Sequence, residues 1–377
     1  MRVLITNHAL VYRGGSELYV RDVAKELLRR GHTPIAYSTK LGDVAVELRN
    51  ATVPIVDDLA SVSAPPDIIH GQHHIETMSA LLHFNDVPAI YVCHSWLAWE
   101  ESPPLFPRIL RYVAVDDTCR DRLICERGIP EQKVSVIRNF VDLARFRQRA
   151  ALPEKPRRAL VFSNYATNNS YVTPIRAACE RVSLPLDVVG MEAGSATDQP
   201  ESLLANYDLV FAKGRCAFEA MAVGAAVILC DFSGMGPMVT SSGFNELKRF
   251  NFGVRTLSEP VKTESMVKEI ARYDRYDAEK VTQLVRATSG LETAVDQIVN
   301  LYEEVIEEYR GMRVSRNGTS ATSEARYTAA YLRDLAQRMS LQREVIYQSA
   351  SYRIGNFFVR TPVISGLLKK VIKNNKT

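Results

Sequence analysis

Two adjacent glycines separate the first apolar run of the chain from the amphipathic segment after it. The loop reads Tyr12-Arg13-Gly14-Gly15-Ser16-Glu17. Backbone N–H groups at the start of a helix bind phosphate where glycines allow a close approach, so Gly14 and Gly15 are candidate phosphate-binding residues. The alternative is a tight turn in which Ser16 is the helix N-cap. The loop lacks the G-x-G-x-x-G spacing of a dinucleotide site.

A second candidate site follows the apolar run 209–211. It reads Lys213-Gly214-Arg215-Cys216-Ala217-Phe218-Glu219-Ala220-Met221-Ala222-Val223-Gly224. Lys213 and Arg215 flank Gly214 and could neutralise a diphosphate. Glu219 has small or apolar neighbours, and a buried carboxylate there needs a partner, such as the vicinal diol of a ribose. The alternative for Glu219 is a salt bridge to one of the two cations, or a favourable interaction with the helix dipole.

Histidines provide the third candidate. His94 comes directly after the apolar run 89–93, where it could hydrogen-bond a sugar hydroxyl or a developing charge; a satisfied structural histidine is the alternative. A cluster of His70, His73 and His74 raises the question of a metal site. The adjacent pair must point in different directions, and no carboxylate stands at ligand spacing, so we expect no metal. We expect His73 to line a cleft on the acceptor side.

Short β-branched runs alternate with amphipathic segments over most of the chain. The strand-like runs are residues 2–6, 34–37, 67–70, 89–93, 112–115 and 133–136, then 159–163, 186–189, 209–211 and 226–229. A Pro- and charge-rich stretch at 152–158 separates the two groups. The pattern predicts two doubly wound parallel sheets, in an N-terminal domain at 1–150 and a C-terminal domain at 151–310. Ligands of such sheets bind beyond the carboxyl ends of the strands, which places the candidate residues in a cleft.

The C-terminal part differs in composition. Residues 311–323 are small and polar and predict a linker, and residues 324–348 have a helical pattern within a helical, basic, amphipathic tail at 324–377. From residue 350 onward the tail has no acid, and its cations are Arg353, Arg360, Lys369, Lys370, Lys373 and Lys376. A cationic amphipathic tail suits an anionic membrane surface. A solvated or oligomer-packing tail is the alternative.

Composition limits the classes of protein. A chain of 377 residues with 46% hydrophobic and 24% charged residues is typical of a two-domain globular protein. Its net charge of +4 is too small to indicate nucleic-acid binding. The six scattered cysteines indicate a reducing compartment. No apolar run is long enough to span a membrane, and the chain enters a strand at once, so we expect no signal peptide and a cytoplasmic location.

Taken together, these motifs resemble the GT-B glycosyltransferases of family 4, over residues 1 to about 309. The first strand, glycine loop and first helix are similar to that family's opening. The segment Arg138-Asn139-Phe140-Val141-Asp142 is similar to its Asn-Gly-Val-Asp, and Glu219-Ala220-Met221-Ala222-Val223-Gly224 is similar to its Glu-Ala-Met-Ala-x-Gly. The resemblance implies that Gly15 approaches the donor phosphates, that Glu219 binds the donor ribose, and that His94 lies beside the donor sugar.

Two positions depart from the family pattern. The family usually has a second glutamate eight residues before Glu219, where this chain has Phe211. It also usually has an arginine and a lysine after the first strand of the second domain, whereas residues 163–170 include no cation. Our hypothesis is that Lys213 and Arg215 replace that charge and stabilise the leaving diphosphate.

The function implied is transfer of a sugar from a nucleoside-diphosphate sugar, with UDP as the expected nucleotide, to a saccharide or lipid-linked acceptor. Retention of configuration, and a role in surface-polysaccharide or glycan biosynthesis, follow from the resemblance alone. We expect no metal and no cofactor, because the sequence has nothing like an Asp-x-Asp motif. Two alternatives remain open: a nucleotide-sugar epimerase on the same fold, and a catalytically silent GT-B protein that binds nucleotide-sugar or polysaccharide.

Overall fold

A computed structural model describes residues 1–167, 170–315 and 320–349. The chain divides into two units: the first contains residues 1–103 and 108–315, and the second contains 104–107 and the chain after 315. The first unit holds both predicted sheets and confirms the α/β class. None of the helices in the ranges that the structure describes is long and apolar enough to cross a membrane.

Seven parallel strands form the first sheet. They are β1 (Arg2–Thr6), β2 (Thr33–Tyr37), β3 (Ile55–Val56), β4 (Ile68–Gln72), β5 (Ala89–Cys93), β6 (Ile109–Ala114) and β7 (Val134–Val136), in the spatial order β3-β2-β1-β4-β5-β6-β7. The helices between them are α1 (Gly15–Arg29), α2 (Asp43–Asn50), α3 (His74–His83) and α4 (Asp117–Asp121), with short helical turns at Leu59–Ser61, Trp99–Glu101, Arg122–Glu126 and Glu131–Lys133. All residues of β4 and β5 are buried, as expected for parallel strands covered by helices on both faces.

The second sheet has four parallel strands and one antiparallel edge. The strands are β8 (Ala159–Phe162), β9 (Leu186–Val189), β10 (Leu209–Ala212), β11 (Ala226–Asp231) and β12 (Gly234–Met238), in the order β12-β11-β10-β8-β9. Around it lie α5 (Val172–Arg181), α6 (Pro200–Leu204), α7 (Gly214–Val223), α8 (Phe244–Arg249), α9 (Thr263–Ile270) and α10 (Arg275–Thr288), with a helical turn at Val254–Thr256. The sequence pattern does not predict β12, because glycine and proline are depleted in strands and are tolerated chiefly at an edge.

The last helix of the predicted second domain, α11 (Leu291–Ser315), packs on the first sheet. The Tyr302 hydroxyl lies 2.5 Å from His70 Nδ1 on β4, and both side chains are fully buried. Arg111 of β6 pairs with Glu308 at 2.7 Å. The predicted second domain, residues 151–310, therefore includes a helix that packs elsewhere. The buried face of α11 contacts the first sheet.

Helix occupies both ends of the predicted linker. α11 continues to Ser315, and α12 (Ser320–Gln348) begins before the expected residue 324. The prediction of a linker at 311–323 was wrong at these ends because a single glycine, Gly311, costs a helix only about 1 kcal/mol, which a long helix tolerates. The basic tail residues from Arg353 to Lys376 lie outside the described residues.

Candidate active site

A cavity of about 540 Å³ lies between the carboxyl ends of the two sheets. This volume is within the range of about 300–1,000 Å³ that is typical of small-molecule sites. The loops that line it follow β1 and β4, the neighbours at which the strand order of the first sheet reverses, and β8 and β10, the equivalent neighbours in the second sheet. Open α/β sheets bind ligands at such switch points. All eight candidate residues from the sequence line this cavity: Gly14, Gly15, His73, His94, Lys213, Gly214, Arg215 and Glu219.

The glycine loop forms the N-terminus of α1. Gly14 is the N-cap and makes no side-chain cap, while the Ser16 hydroxyl donates to Glu17 Oε2 at 3.0 Å. The alternative in which Ser16 is the N-cap was therefore wrong, because the helix begins at Gly15, one residue before Ser16. A β-carbon on Gly15 would meet no atom within 4 Å, so the space in front of the first helical turn is open. Burial raises the pKa of the Glu17 carboxyl beside it.

On the opposite wall, the N-terminus of α7 carries the second motif. Gly214 has a φ of +55°, which favours glycine, and its N–H donates to the carbonyl of Phe252 at 2.9 Å. Glu219 is buried, and its Oε1 accepts a hydrogen bond from Arg215 Nε at 2.7 Å. Burial raises the pKa of Glu219, and the guanidinium offsets only part of that effect. The salt bridge that the sequence offered as an alternative for Glu219 is thus present, and Arg215 satisfies one of its oxygens.

Charged side chains alternate along the cleft from one half of the unit to the other. In order of contact they are Arg13, Glu47, Arg21, Asp22, Arg215 and Glu219. Three guanidiniums and three carboxylates make the series neutral. The pair between Asp22 and Arg215 joins α1 to α7, so Arg215 has a carboxylate partner in each half of the cleft.

Lys213 is also paired. Its ammonium contacts the fully buried carboxylate of Asp231 at the end of β11, and lies 5.2 Å from the centre of the Phe232 ring. Lys213 and Arg215 therefore face the cavity as predicted, but each is already compensated by an acid. A diphosphate would bind them only by competing with these carboxylates.

The first half of the cavity wall carries His73, His94 and Glu101. Glu101 is 3% exposed, and its Oε2 accepts the His94 backbone N–H at 2.9 Å. Its Oε1 is 3.5 Å from His73 Nε2. Burial raises the pKa of Glu101 to about 7 and lowers the pKa of His73 to about 3. This wall therefore presents a carboxyl that titrates near neutrality beside two neutral imidazoles.

His73 is held in an unusual backbone conformation at the start of α3. Its φ is +58°, a region that is costly for a non-glycine residue and is often found at functional sites. Nδ1 of His73 accepts the backbone N–H of His8 at 3.1 Å. Nε2 of the neutral ring therefore carries the proton and points to Glu101. His73 lines the cavity, and its place on the acceptor side stays a prediction.

The other histidines of the cluster have separate environments. His70 contacts Tyr302 in the core, and the His74 ring meets Trp99 edge-on with centroids 4.6 Å apart. Over the ranges 1–167, 170–315 and 320–349, no three His, Cys, Asp or Glu side chains are grouped to hold a metal ion. The expectation of a reaction without metal or cofactor stays a prediction.

Of the two departures from the family pattern, Phe211 lies in the core and the loop without cations lies at the cavity. Phe211 is fully buried in the core of the second sheet, as are all residues of β10, because helices cover both faces of a parallel sheet, so it cannot contact a sugar. Ser163, Asn164 and Tyr165 do line the cavity. The Asn164 side-chain amide donates to the carbonyl of Arg13 at 3.2 Å, a further link between the halves.

Residues 13–145 match the model described as Glycosyltransferase Family 4. The chain carries a glycosyltransferase family 4 domain. No curated protein matches the sequence at a significant level.

Solved structures similar to this glycosyltransferase have its fold over most of the chain. A glycosyltransferase from Rickettsia africae has a TM-score of 0.59 at 16% identity, covering 81% of this chain and 98% of its own. HepE of Anabaena, in complex with UDP and glucose, has a TM-score of 0.56 at 16% identity, covering 80% of this chain and 99% of its own. A sucrose-phosphate synthase from Thermosynechococcus elongatus has a TM-score of 0.57 at 13% identity, covering 82% of this chain and 100% of its own. These comparisons confirm the GT-B fold.

Two side chains of the glycosyltransferase site were not found from the sequence. Asp22 lies mid-helix in α1, and Glu101 lies in a helical turn seven residues after His94. Neither follows a strand directly, and neither belongs to a motif. The one available signal was the pair Glu100-Glu101 shortly after a histidine at a strand end, and acidic pairs on surface turns are too common for that signal to be specific.

Proposed function

We propose that this glycosyltransferase moves a sugar from a UDP-sugar to a saccharide or lipid-linked acceptor, in polysaccharide or glycan biosynthesis. The observation that carries the proposal is the cavity at both topological switch points, with the open N-terminus of α1 on one wall and Glu219 on the other. The GT-B structure of HepE, which holds UDP and glucose, supports UDP as the nucleotide.

The donor would lie across the second half of the cavity. Its ribose diol would satisfy the Glu219 carboxylate, whose Oε1 accepts a hydrogen bond from Arg215. The diphosphate would lie between the N-terminus of α1, near Gly14 and Gly15, and the side chains of Lys213 and Arg215. Helix N-termini and guanidiniums both stabilise phosphate oxygens, and they would stabilise the charge that develops on the leaving nucleotide.

Donor binding would rearrange the ion pairs of the site. Once the ribose replaces Arg215 on Glu219, the guanidinium has a free edge for phosphate while its other edge still contacts Asp22. This exchange would make up for the missing cations of the loop at 163–170. His94 would lie beside the sugar, with its Nε2 available, since that buried atom has no hydrogen-bond partner within the described residues.

Retention of configuration and the type of polysaccharide rest on the family resemblance. The acceptor would enter on the side of His73. The basic tail from residue 350 would bring the enzyme to the inner, anionic face of a membrane where a lipid-linked acceptor lies. Flotation with vesicles containing anionic lipid tests this: the full chain should float and a chain ending at Ser349 should not, and equal flotation would remove the membrane from the proposal.

A thermal-shift screen over nucleotides and nucleotide-sugars, followed by product analysis, tests the function. A ligand at about 100 times its Kd should stabilise the protein by about 2.7 kcal/mol, and we expect UDP-sugars to do so, with and without EDTA. The stabilising UDP-sugar is then incubated alone and with saccharide acceptors. Transfer supports the proposal, whereas an epimerised sugar formed without acceptor identifies the epimerase.

A catalytically silent binding protein is the second candidate. Phe211 in the core and the pairing of Lys213 with Asp231 favour it, since both reduce the groups free to act on the donor. It predicts stabilisation by UDP-sugar with neither transfer nor hydrolysis. That result would replace the transferase proposal.

A further inference from the structure

Arg13 lines the cavity directly before the glycine loop, and the proposed donor site does not use it. Its backbone is held across the cleft, because its carbonyl accepts a hydrogen bond from the Asn164 side-chain amide at 3.2 Å. Its guanidinium pairs with Glu47 of α2, and Nε and Nη2 contact the same oxygen, Oε1, at 2.9 and 2.7 Å. A cation thus belongs to the loop at which we place the donor diphosphate.

Arg13 is the least compensated guanidinium in the series of charges along the cleft. Among the residues that the structure describes, Glu47 is the one carboxylate that pairs with it. The other oxygen of Glu47 contacts Arg21 at 3.1 Å, so Arg13 shares even this acid. The other two guanidiniums, Arg21 and Arg215, each contact two carboxylates. The end of the series at Arg13 therefore has positive charge to spare for an anion.

The Arg13 side chain is also the most accessible of the three. It is 36% exposed, against 6% for Arg21 and 15% for Arg215. Glu47 occupies only the edge formed by Nε and Nη2, and Nη1 makes no hydrogen bond within residues 1–167, 170–315 and 320–349. A guanidinium binds phosphate through two parallel N–H groups. The edge formed by Nη1 and Nη2 of Arg13 is open for such a contact.

An acid at the start of α1 increases the need for a cation there. Glu17 is in the first turn of the helix, and its Oε2 lies where it would meet a β-carbon added to Gly14. A diphosphate bound at this N-terminus would have a carboxyl as a close neighbour, and like charges repel. The guanidinium of Arg13, one residue before Gly14, would offset that repulsion.

We propose that Arg13 binds the diphosphate of the nucleotide-sugar donor. This inference rests on the proposed function and adds a third cation to Lys213 and Arg215. Those two side chains reach a phosphate only in competition with buried carboxylates. Arg13 has an open edge and a partner, Glu47, that is itself 28% exposed. It is therefore the cation that contacts the diphosphate without the loss of a buried ion pair.

The test compares UDP with uridine, which has the same base and ribose but no phosphate. The Kd of UDP is measured by calorimetry and that of uridine by NMR titration. Arg13→Gln should raise the Kd of UDP by about 10-fold or more and leave that of uridine unchanged, whereas a distorted loop would weaken both. Arg13→Lys keeps the charge without the paired N–H edge and should give an intermediate Kd for UDP. Exposed ion pairs contribute little to stability, so we expect both variants to fold.

Glu47→Gln should have the opposite sign. It removes the acid that competes for Arg13, so UDP should bind at least as tightly as to the native enzyme, and up to about fivefold more tightly. Arg120→Gln is the matched control. Arg120 is equally exposed, at 36%, and pairs with Glu131 on the surface, outside the cavity, so this variant should bind UDP and uridine as the native enzyme does.

Two outcomes would overturn the role of Arg13. One is an Arg13→Gln variant that keeps the native ratio between the Kd of uridine and the Kd of UDP. The other is a Glu47→Gln variant that loses as much UDP affinity as Arg13→Gln, since the two residues would then act as one structural unit. Either result leaves the proposed function intact, because the native enzyme still binds UDP. If the native enzyme binds neither UDP nor any UDP-sugar, the proposed function itself fails.

Discussion

Asp22 in α1 and Arg215 in α7 form an ion pair across the cleft, although they are 193 residues apart in the chain. Both side chains are largely buried. Burial alone would raise the pKa of Asp22, but the guanidiniums of Arg215 and Arg21 more than offset this, and the pKa lies below its usual value. The two halves of the site are thus held together by charge in the space where a donor diphosphate would lie.

Asp22→Asn should weaken the contact between the halves. Removing one partner of a buried pair leaves the other charge poorly compensated, which typically costs about 3–5 kcal/mol. Arg215 keeps its ion pair with Glu219. We therefore expect the loss in free energy of unfolding, measured in urea, to lie at the lower end of this range. Asp86→Asn is the control, because Asp86 forms an exposed pair with Arg313 at 3.8 Å and such pairs contribute about 0–1 kcal/mol. Equal losses in the two variants would contradict a structural role for the cleft pair.

Glu219→Gln should weaken nucleotide binding through the ribose. A hydrogen bond to a charged group contributes about 1.5–3 kcal/mol, which corresponds to roughly a 10- to 150-fold rise in the Kd of UDP, measured by calorimetry. Comparison with 2′-deoxy-UDP makes the assignment specific. The native enzyme should discriminate against the deoxy nucleotide, and the variant should not, since the two changes remove the same interaction.

The control for Glu219→Gln is Glu264→Gln. Glu264 pairs with Arg181 at 3.1 Å on the surface of α9, outside the cavity, so this variant should bind UDP normally. If Glu219→Gln still discriminates against 2′-deoxy-UDP as strongly as the native enzyme, the carboxylate does not bind the ribose. Arg215→Ala should also lower kcat, but it leaves the buried Glu219 without its cation and Asp22 with Arg21 alone of its two guanidinium partners. We therefore expect it to destabilise the fold as well.

The site residues that could be predicted from sequence are those in the segments that follow strands. Apolar runs mark the end of β1, β5 and β10, and parallel strands bring their carboxyl ends to one edge. The position of Gly15, His94 and Lys213 at the cleft therefore follows from the sequence. The ion-pair partners could not be predicted. Arg215 pairs with Asp22 only because one half docks on the other, and Lys213 pairs with Asp231 only because β10 and β11 are neighbours in the sheet.

The fold itself was predictable where hydrophobic periodicity is strong. The runs at 89–93 and 186–189 coincide with β5 and β9. β12 has the sequence Gly-Met-Gly-Pro-Met, whose composition opposes a strand, and only pairing with β11 makes it one. The docking of α11 on the first sheet depends on buried contacts such as Tyr302 with His70, and no local pattern encodes them.

Gly15→Ala should separate folding from donor binding. A methyl group on Gly15 meets no atom within 4 Å, and Gly15 does not have a positive φ. The substitution should therefore leave stability unchanged or raise it by about 0.4–1 kcal/mol. The methyl group would, however, occupy the space in front of the α1 N–H groups, and we expect UDP affinity to fall by about tenfold or more.

Gly311→Ala is the matched control for Gly15→Ala. Gly311 also lies in a helix with no atom within 4 Å of an added β-carbon, far along the chain from the cavity. The Gly311→Ala variant should gain up to about 1 kcal/mol in free energy of unfolding, with no change in UDP affinity. Unchanged UDP binding by Gly15→Ala would place the phosphates elsewhere.

His70→Gln should reduce the sensitivity of the fold to acid. Burial lowers the pKa of His70 to about 3 in the folded protein, while an unfolded histidine has a pKa of about 6.5. Between these values the unfolded chain binds more protons than the folded one, so this contribution to stability is present above about pH 6.5 and is lost as the pH falls. Removing His70 should lower the slope of unfolding free energy against pH by about 1.4 kcal/mol per pH unit between about pH 4 and 6.

The slope, and not the stability at one pH, is the quantity that decides this prediction. His70→Gln also loses the contact with Tyr302, and that loss shifts the whole curve without tilting it. His83→Gln removes a histidine from the exposed face of α3 and should leave the slope as it is. A slope for His70→Gln equal to that of the native protein would mean that the imidazole is protonated within the fold, and the contact between β4 and α11 would then have to hold a buried cation.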